Sequence, residues 1–304
     1  MSYLYQEAEK FIKDIYWSET HDRRSSLKIA DLVNEKLVKD NKEKDPEYFS
    51  HREGVIHASS IYGCLRGVIH EMLGAKPNEE YSVRQLGIFQ AGNLFEDYVV
   101  SSLGNKVIEG QREYVYKYKS LTLVGRSDYI INDNGIMRIG ENKSVHSDSF
   151  WYRQREGTLV AWQNQIQLQI YMWLERELFN NKWDGIFSYI SKDDCTVESA
   201  PVKYNPRIIN EIVKPALEII NEAYEKKDST IAPLPSMTIF NDARNQWQIN
   251  WLCKYCNYHN HCAGAGWVLE AKDEVFRKNK EYKIAHPPIP KKRVVKETNI
   301  RPVE

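Results

Sequence analysis

Residues 125–143 read GRSDYIINDNGIMRIGENK, from Gly125 to Lys143. Two runs able to form strands, Asp128-Tyr129-Ile130-Ile131 and Ile136-Met137-Arg138-Ile139, flank Asn132-Asp133-Asn134-Gly135. An Asn-Gly pair between such runs is a strong hairpin signal. The hairpin brings Asp128 beside Glu141. Successive strand side chains point to opposite faces, so Glu141 and Lys143 share one face about 7 Å apart and Asn142 points away. That face carries two carboxylates and one ammonium. Carboxylate oxygens suit a hard divalent cation such as Mg²⁺ or Mn²⁺, and Lys143 can orient or help deprotonate a water attacking a phosphodiester. The pattern is one for metal-dependent phosphoryl hydrolysis.

Composition bounds what can surround the hairpin. With 304 residues the chain can bury a large core, as one elaborated domain or a domain with a helical annex. A hydrophobic share of 42% and an aromatic share of 12% indicate a globular chain. Lys+Arg and Asp+Glu both count 42, so no global basic field points to a nucleic acid, although a local groove would not show in that sum. The start, MSYLYQEAEKFIKD, is charged and lacks the apolar centre of a signal peptide, and no apolar run has membrane-spanning length. The chain reads as cytoplasmic.

Helical spacing marks residues 3 to 16 and 25 to 45, the latter with an apolar stripe of Leu27, Ile29, Leu32, Val33, Leu37 and Val38. In Ile56–Leu73, Ser59 or Ser60 can cap a helix whose apolar positions are Ile61, Leu65, Val68, Ile69 and Met72. Cys64 falls inside that helix. Far downstream comes Cys253-Lys-Tyr-Cys256-Asn-Tyr-His-Asn-His-Cys262. Three close-spaced thiols in a reducing compartment suggest a metal rather than a disulfide. Cys64 can complete a Cys₄ set for a [4Fe–4S] cluster, while a Cys₄ or Cys₃His zinc site using His259 or His261 is the rival. Cys195 lies in a polar turn, away from this set.

Gly125-x-x-Asp128 followed by Glu141-x-Lys143 resembles the PD-(D/E)xK nuclease superfamily. Cys64 with Arg66, then the hairpin, then Cys-x₂-Cys-x₅-Cys is similar to its iron–sulfur, RecB-like branch, which includes the CRISPR-adaptation exonuclease family, the nuclease domain of AddB and viral relatives. The resemblance covers approximately residues 56 to 265. It implies that Cys64, Cys253, Cys256 and Cys262 hold a [4Fe–4S] cluster. Gly92-x-x-x-Glu96 matches a Gly-x-x-x-His/Glu motif on the helix before the catalytic sheet, and Glu in place of His favours Mg²⁺ or Mn²⁺. Gln167-x-x-x-Tyr171 matches the Gln/Tyr motif after the catalytic strand, with Gln on the metal water or a phosphate and Tyr on the strand or bracing the lysine.

The remaining chain reads as scaffold. Val83–Leu103 presents a helical core face of Leu86, Phe89, Leu94, Tyr98 and Val99, with Gly87 and Gly92 for close approach to the sheet. Val107–Tyr118 and Leu121–Val124 alternate as two strands that extend the catalytic sheet. Trp151-Tyr152-Arg153-Gln154-Arg155 suits either stacking on a DNA strand or a helix start. Leu159–Leu178 is a long helix with Gln163, Gln167 and Tyr171 on one face and Trp162, Ile166, Ile170 and Trp173 toward the core. Gly185–Ser191 follows as a strand. Arg207–Lys226 is a helix with Ile208, Ile209, Ile212, Val213, Leu217 and Ile220 inward, and Ile231–Ile239 leads to the cysteines. The tail from His286, with its prolines and Lys291-Lys292-Arg293, reads as extended or disordered.

The expected fold is α/β: a restriction-endonuclease-like mixed central sheet flanked by helices, its N- and C-terminal helical parts joined by an iron–sulfur cluster. The expected division is an N-terminal helical region 1–55, a nuclease domain 56–284 and a basic tail 285–304. Asp128, Glu141, Lys143, Gln167 and Tyr171 are the expected catalytic set. Glu96, Asp128, Glu141 and the Asn142 carbonyl are the expected Mg²⁺ or Mn²⁺ ligands. The resemblance implies an exonuclease on DNA, single-stranded or with single-stranded ends, serving CRISPR adaptation, recombination and repair or viral DNA processing, with protein partners in a DNA-processing complex. Two other classes stay open: a non-cleaving DNA-end-binding or assembly subunit, and a zinc-stabilised nucleic-acid-binding module.

Overall fold

Asn134 and Gly135 both take positive φ, 53° and 91°, the backbone of a two-residue type I′ loop whose twist matches that of paired strands. The Asn132 side-chain oxygen accepts from the Gly135 amide at 2.7 Å. The flanking strands therefore reach closer to the turn than the four polar residues suggest, pairing from Asp133↔Ile136 to Tyr129↔Gly140.

The computed structural model of the chain describes residues 29–43, 53–78, 81–155, 161–241, 245–263 and 267–286. The helix expected over residues 3 to 16, Leu27, Leu159 and the tail beyond His286 lie outside them. The described residues fall into two compact units, 1–50 with 81–91, and 51–80 with 92–304. In chain order the elements are α1 (Ile29–Glu43), β1 (Val55–His57), α2 (Leu65–Met72), α3 (Val83–Leu103), β2 (Val107–Gly110), β3 (Glu113–Tyr118), β4 (Leu121–Arg126), β5 (Tyr129–Asp133), β6 (Ile136–Val145) and α4 (Ser147–Arg155). There follow α5 (Trp162–Phe179), β7 (Asp184–Ser191), β8 (Val197–Val202), α6 (Lys214–Lys226), β9 (Thr238–Asn241), β10 (Gln246–Ile249), α7 (Trp251–Lys254), α8 (His259–Ala263) and α9 (Trp267–Ala285).

The first unit holds α1 and the start of α3. Lys36 and Asp40 pair across one turn of α1 at 2.8 Å, but Leu32 and Val33 of its expected apolar stripe are exposed. Ser82 and Gln85 cap α3 reciprocally: the Ser82 amide donates to Gln85 Oε1 at 2.9 Å and the Gln85 amide to Ser82 Oγ at 3.3 Å. The core face expected along α3 is narrower than its spacing suggests. Leu86 and Val99 are buried, whereas Phe89, Leu94 and Tyr98 are exposed. Gly87 and Gly92 have open space around them rather than a closely packed sheet.

The second unit is built on two sheets. A mixed five-stranded sheet runs β2-β5-β6-β7-β8, with β6 and β7 parallel and the other neighbours antiparallel. The strands expected to extend it do so only in part. The chain leaves the sheet at Gln111, whose φ of 51° is left-handed, and β3 and β4 instead join β1 in a separate three-stranded sheet. An alternating pattern records which residues face inward but not a break in the strand that carries it.

Helix α5 packs against β3 of one sheet and against β6 and β7 of the other. Its residues from Ile166 to Glu175 are all buried, so it is an internal helix rather than an amphipathic surface one. Ile166, Ile170 and Trp173 are inside as expected, while Trp162, its first residue, is exposed. Behind it, a helical turn Pro206–Ile208 and a π-helical turn Ile209–Val213 lead into α6. Pro215 has no amide to give to residue 211, which accounts for the widened turn. Ile209, Val213, Leu217 and Ile220 are buried and Ile212 is exposed. The segment Ile231–Ile239 runs into β9, which pairs antiparallel with β10 before the cysteines are reached. Among the described residues no helix is long and apolar enough to cross a membrane.

One buried ion pair ties the sheets to α5. The Glu175 carboxylate is 0% exposed and lies 3.1 Å from Arg112 Nε. It also accepts from Asn181 Nδ2 at 2.6 Å. The Arg112 guanidinium sits 4.3 Å from the centre of the Phe179 ring. Removing one member of a buried pair strands the other charge, whereas replacing both with apolar groups does not. Arg112→Ala should therefore cost about 3–5 kcal/mol in urea unfolding, and Arg112→Met combined with Glu175→Leu should be as stable as wild type or more so. Equal losses in the two proteins would show that the stranded charge is not the cause.

Candidate active site and thiol pocket

Asp128 lies one residue beyond the last rung of the β5–β6 ladder, Tyr129↔Gly140. Its amide donates to the Gly140 carbonyl at 3.2 Å, and its Oδ2 accepts from the Asn142 amide at 2.5 Å. The carboxylate thus occupies the β5 side of β6 where the strand pairing stops. N–H and C=O of one strand residue leave on the same side, so the Asn142 carbonyl points to that side too. The Asn142 side-chain amide points the other way and is buried without a hydrogen-bond partner.

Glu141 is only 2% exposed. Its Oε1 accepts from Lys143 Nζ at 2.5 Å, while its Oε2 is buried with no hydrogen-bond partner. Lys143 also donates to Gln167 Oε1 at 3.2 Å, and Gln167 Nε2 donates to the Tyr171 hydroxyl at 2.8 Å. That last bond fixes which end of the Gln167 amide faces the lysine. Tyr171 is held by stacking on Tyr114, with ring centres 5.6 Å apart and planes 14° from parallel. Beside Tyr114, as its cross-strand partner, lies Gly125, where an added Cβ would come within 2.7 Å of the Tyr171 ring and 3.2 Å of the Ala58 Cβ. The glycine of the Gly-x-x-Asp pattern is there because the tyrosine needs its space.

Glu96, on α3, accepts from Gln111 Nε2 at 3.1 Å. Burial, and then the nearby Glu141 and Glu96 charges, push the Asp128 carboxyl well above its ordinary range. Burial works against the Lys143 ammonium, but Glu141 and Asp128 outweigh it and hold the lysine above its ordinary value. Asp128 and Glu141 are thus both held above their ordinary range, beside a lysine that stays protonated.

The four cysteines come together in a second place. Cys64, Cys253, Cys256 and Cys262 line one pocket with Leu234, Pro235, Met237, Leu252, His259 and Trp267. Cys64 is not inside a helix as the spacing suggested. A 3₁₀ turn, Ala58–Ser60, precedes it and Cys64 itself is the N-cap of α2, so neither Ser59 nor Ser60 caps that helix. Burial, followed by the neighbouring thiols, pushes Cys253 and Cys262 up to about 11. His259 Nδ1 meets the Cys256 carbonyl at 2.6 Å and His261 Nε2 meets the Lys76 carbonyl at 2.9 Å. Cys195 is exposed in a turn with φ of 58°. Among the described residues, no group of three or more His, Cys, Asp or Glu is arranged to hold a metal ion as it stands.

Three more residues, Gly67, Arg66 and Asn78, contribute around this pocket. Gly67 faces the thiols: a Cβ there would lie 3.2 Å from Cys256 Sγ. Arg66 donates to the Ala232 carbonyl at 2.6 Å and to that of Thr230 at 3.2 Å. The Asn78 amide donates to the Asn257 carbonyl at 2.7 Å. The Asn78 bond ties the loop after α2 to the cysteine-bearing segment, and the Arg66 bonds tie α2 to the turn at residues 230–232 that precedes it. Only the Cys-x-Arg-Gly spacing could have signalled the first two, and Asn78 gives no sign at all.

The model of the PD-(D/E)XK nuclease superfamily matches residues 12–263. Among solved structures, SSO0001 is 23% identical, with 77% of this chain and 96% of that one covered and a TM-score of 0.47. A phage-related exonuclease from Haemophilus somnus 129PT is 13% identical, with 57% of this chain and 94% of that one covered and a TM-score of 0.38. No curated protein matches the chain.

The packing of Tyr171 gives a direct check. Gly125→Ala should lose about 1–3 kcal/mol of stability by overpacking. Gly87→Ala, at a helical position with open space around it, should gain about 0.5–1 kcal/mol. Urea unfolding of both reads the contrast, and a Gly125→Ala protein as stable as wild type would mean that Tyr171 is not pressed against this glycine.

Proposed function

The chain belongs to the PD-(D/E)XK nuclease superfamily, and from that premise we propose that it is an Mg²⁺- or Mn²⁺-dependent exonuclease acting on DNA with single-stranded character. The observation that carries the reading is the buried, unpartnered Oε2 of Glu141 beside the Asp128 carboxylate. A buried carboxylate oxygen with no donor is costly, and a hard divalent cation is the partner its chemistry suits. Asp128, Glu141 and Glu96, with the Asn142 carbonyl, are the groups that would hold it. When bound, such an ion supplies Lewis-acid stabilisation of phosphate charge and acidifies a water.

The chain's own residues supply the rest. Lys143 is an ammonium in these surroundings, so it donates hydrogen bonds to the attacking water or a phosphate oxygen rather than accepting a proton. Its direction is fixed from two sides, by Glu141 Oε1 and Gln167 Oε1. Tyr171 sets the Gln167 amide and thereby keeps an acceptor toward the lysine. Preorganised donors of this kind act where charge develops.

We propose the pocket of four thiols as the site of a [4Fe–4S] cluster. In such a cluster the thiolates each bind a different iron, so they surround a cavity rather than meet at a point. Linking Cys64 to the C-terminal segment closes a long loop, for which chain entropy gives about 5 kcal/mol, a sum reduced by the clasp already made through Arg66 and Asn78.

Cleavage of end-labelled single-stranded DNA with Mg²⁺ or Mn²⁺, by anaerobically purified protein beside Lys143→Ala, tests the catalytic claim. Wild type should degrade the strand and the variant should lose at least about a hundredfold. If both bind DNA and neither cuts it, the chain is a DNA-end-binding subunit. Cys64→Ala should lose bound iron and sulfide and melt at a lower temperature, and a colourless wild-type protein that carries zinc would refute the cluster.

A further inference from the structure

Gln111 is the residue at which the chain passes from one sheet to the other. Its φ of 51° is a conformation that side-chain-bearing residues seldom take. Such strain persists where the surroundings over-determine it, and the surroundings here do. The Gln111 amide donates to the Asp128 carbonyl at 2.9 Å, and the next residue, Arg112, accepts at its carbonyl from the Ser127 amide at 3.0 Å. The Arg112 guanidinium is in turn locked against Glu175 and Phe179. Residues 111 and 112 are thus bolted to residues 127 and 128, the segment that presents the Asp128 carboxylate.

The Gln111 side chain uses this mounting. Its Nε2 donates to Glu96 Oε1 at 3.1 Å, so one residue grips the main chain of Asp128 and the side chain of Glu96. Glu96 comes from a helix and Asp128 from the bend just before β5, and the Glu96 charge disfavours that of Asp128. A neutral amide donor satisfies one Glu96 oxygen without competing for the charge, and leaves the other free. A glycine would relieve the backbone here, and the chain keeps a glutamine.

We propose that Gln111 is a positioning residue that holds Glu96 in place to share a divalent cation with Asp128 and Glu141. This rests on the cation-dependent reading of the same site. Groups that hold a metal ligand in place by hydrogen bonding are worth about 10–100-fold in metal affinity.

The test is Mn²⁺ binding, followed by calorimetry and by electron paramagnetic resonance without DNA, in the full-length wild type and in Gln111→Gly, Glu96→Ala and Asp128→Ala, with melting temperatures alongside. Gln111→Gly removes the amide and releases the left-handed strain. It should weaken Mn²⁺ binding about tenfold while melting at or above the wild-type temperature. Wild-type affinity in Gln111→Gly beside weakened binding in Glu96→Ala would overturn the proposal and leave the cation site standing. A lower melting temperature in Gln111→Gly would also overturn it, because the residue would then be holding the fold rather than the ligand. Unchanged binding in both Glu96→Ala and Asp128→Ala would sink the cation reading itself, and this proposal with it.

Discussion

Burying the Glu141 carboxylate is the constraint on which the site depends. A charge taken out of water has to be answered by partners fixed in the fold, and here one oxygen is answered by Lys143. The lysine then needs a second acceptor, which is Gln167, and the glutamine needs its amide oriented, which Tyr171 does. Each requirement pulls in another element, until one strand of the five-stranded sheet and the central helix α5 are joined by side chains. The polar chain continues along α5 to Glu175, where a second buried carboxylate is answered by Arg112.

Placing α5 between two sheets makes this possible. A helix on the surface could offer only one face to a site, and its opposite face would be wet. Being enclosed, α5 has its Gln167 and Tyr171 held by packing as well as by hydrogen bonds. The cost is that every polar group on it must find a protein partner, and Gln167, Gln169 and Glu175 each do.

The hairpin was legible because its signals are local: an Asn-Gly turn and alternating neighbours two residues apart. The grouping of Asp128, Glu141 and Lys143 follows from the hairpin and from strand alternation, so it could be read directly. Gln167 and Tyr171 could be placed on one helical face by spacing, although the partner of that face could not. The division of the strands between two sheets was hidden, since it turns on the left-handed backbone of Gln111, a residue type with no such preference. The exposed side of α3 was misread because an apolar residue at helical spacing does not reveal whether anything packs on it. Cys64 was assigned to the interior of a helix for a related reason: apolar positions such as Ile61 continue the period through a 3₁₀ turn that is not part of that helix. Gly67 was passed over because a glycine that admits a distant sulfur looks the same in sequence as any other.

The clasp around the thiol pocket joins segments far apart in the chain, with Arg66 reaching Ala232 across 166 residues. The two sheets are complete by Val202, the end of β8, whereas the partners of Cys64 come only at the far end of the fold. On a ribosome, β5 and β6 would emerge and pair well before residue 262 left the exit tunnel. The nascent domain would pass through a stage with the strands around Asp128 and Glu141 assembled and its α2 side still open. Whatever finally seals that side does so after translation of the fold is all but finished.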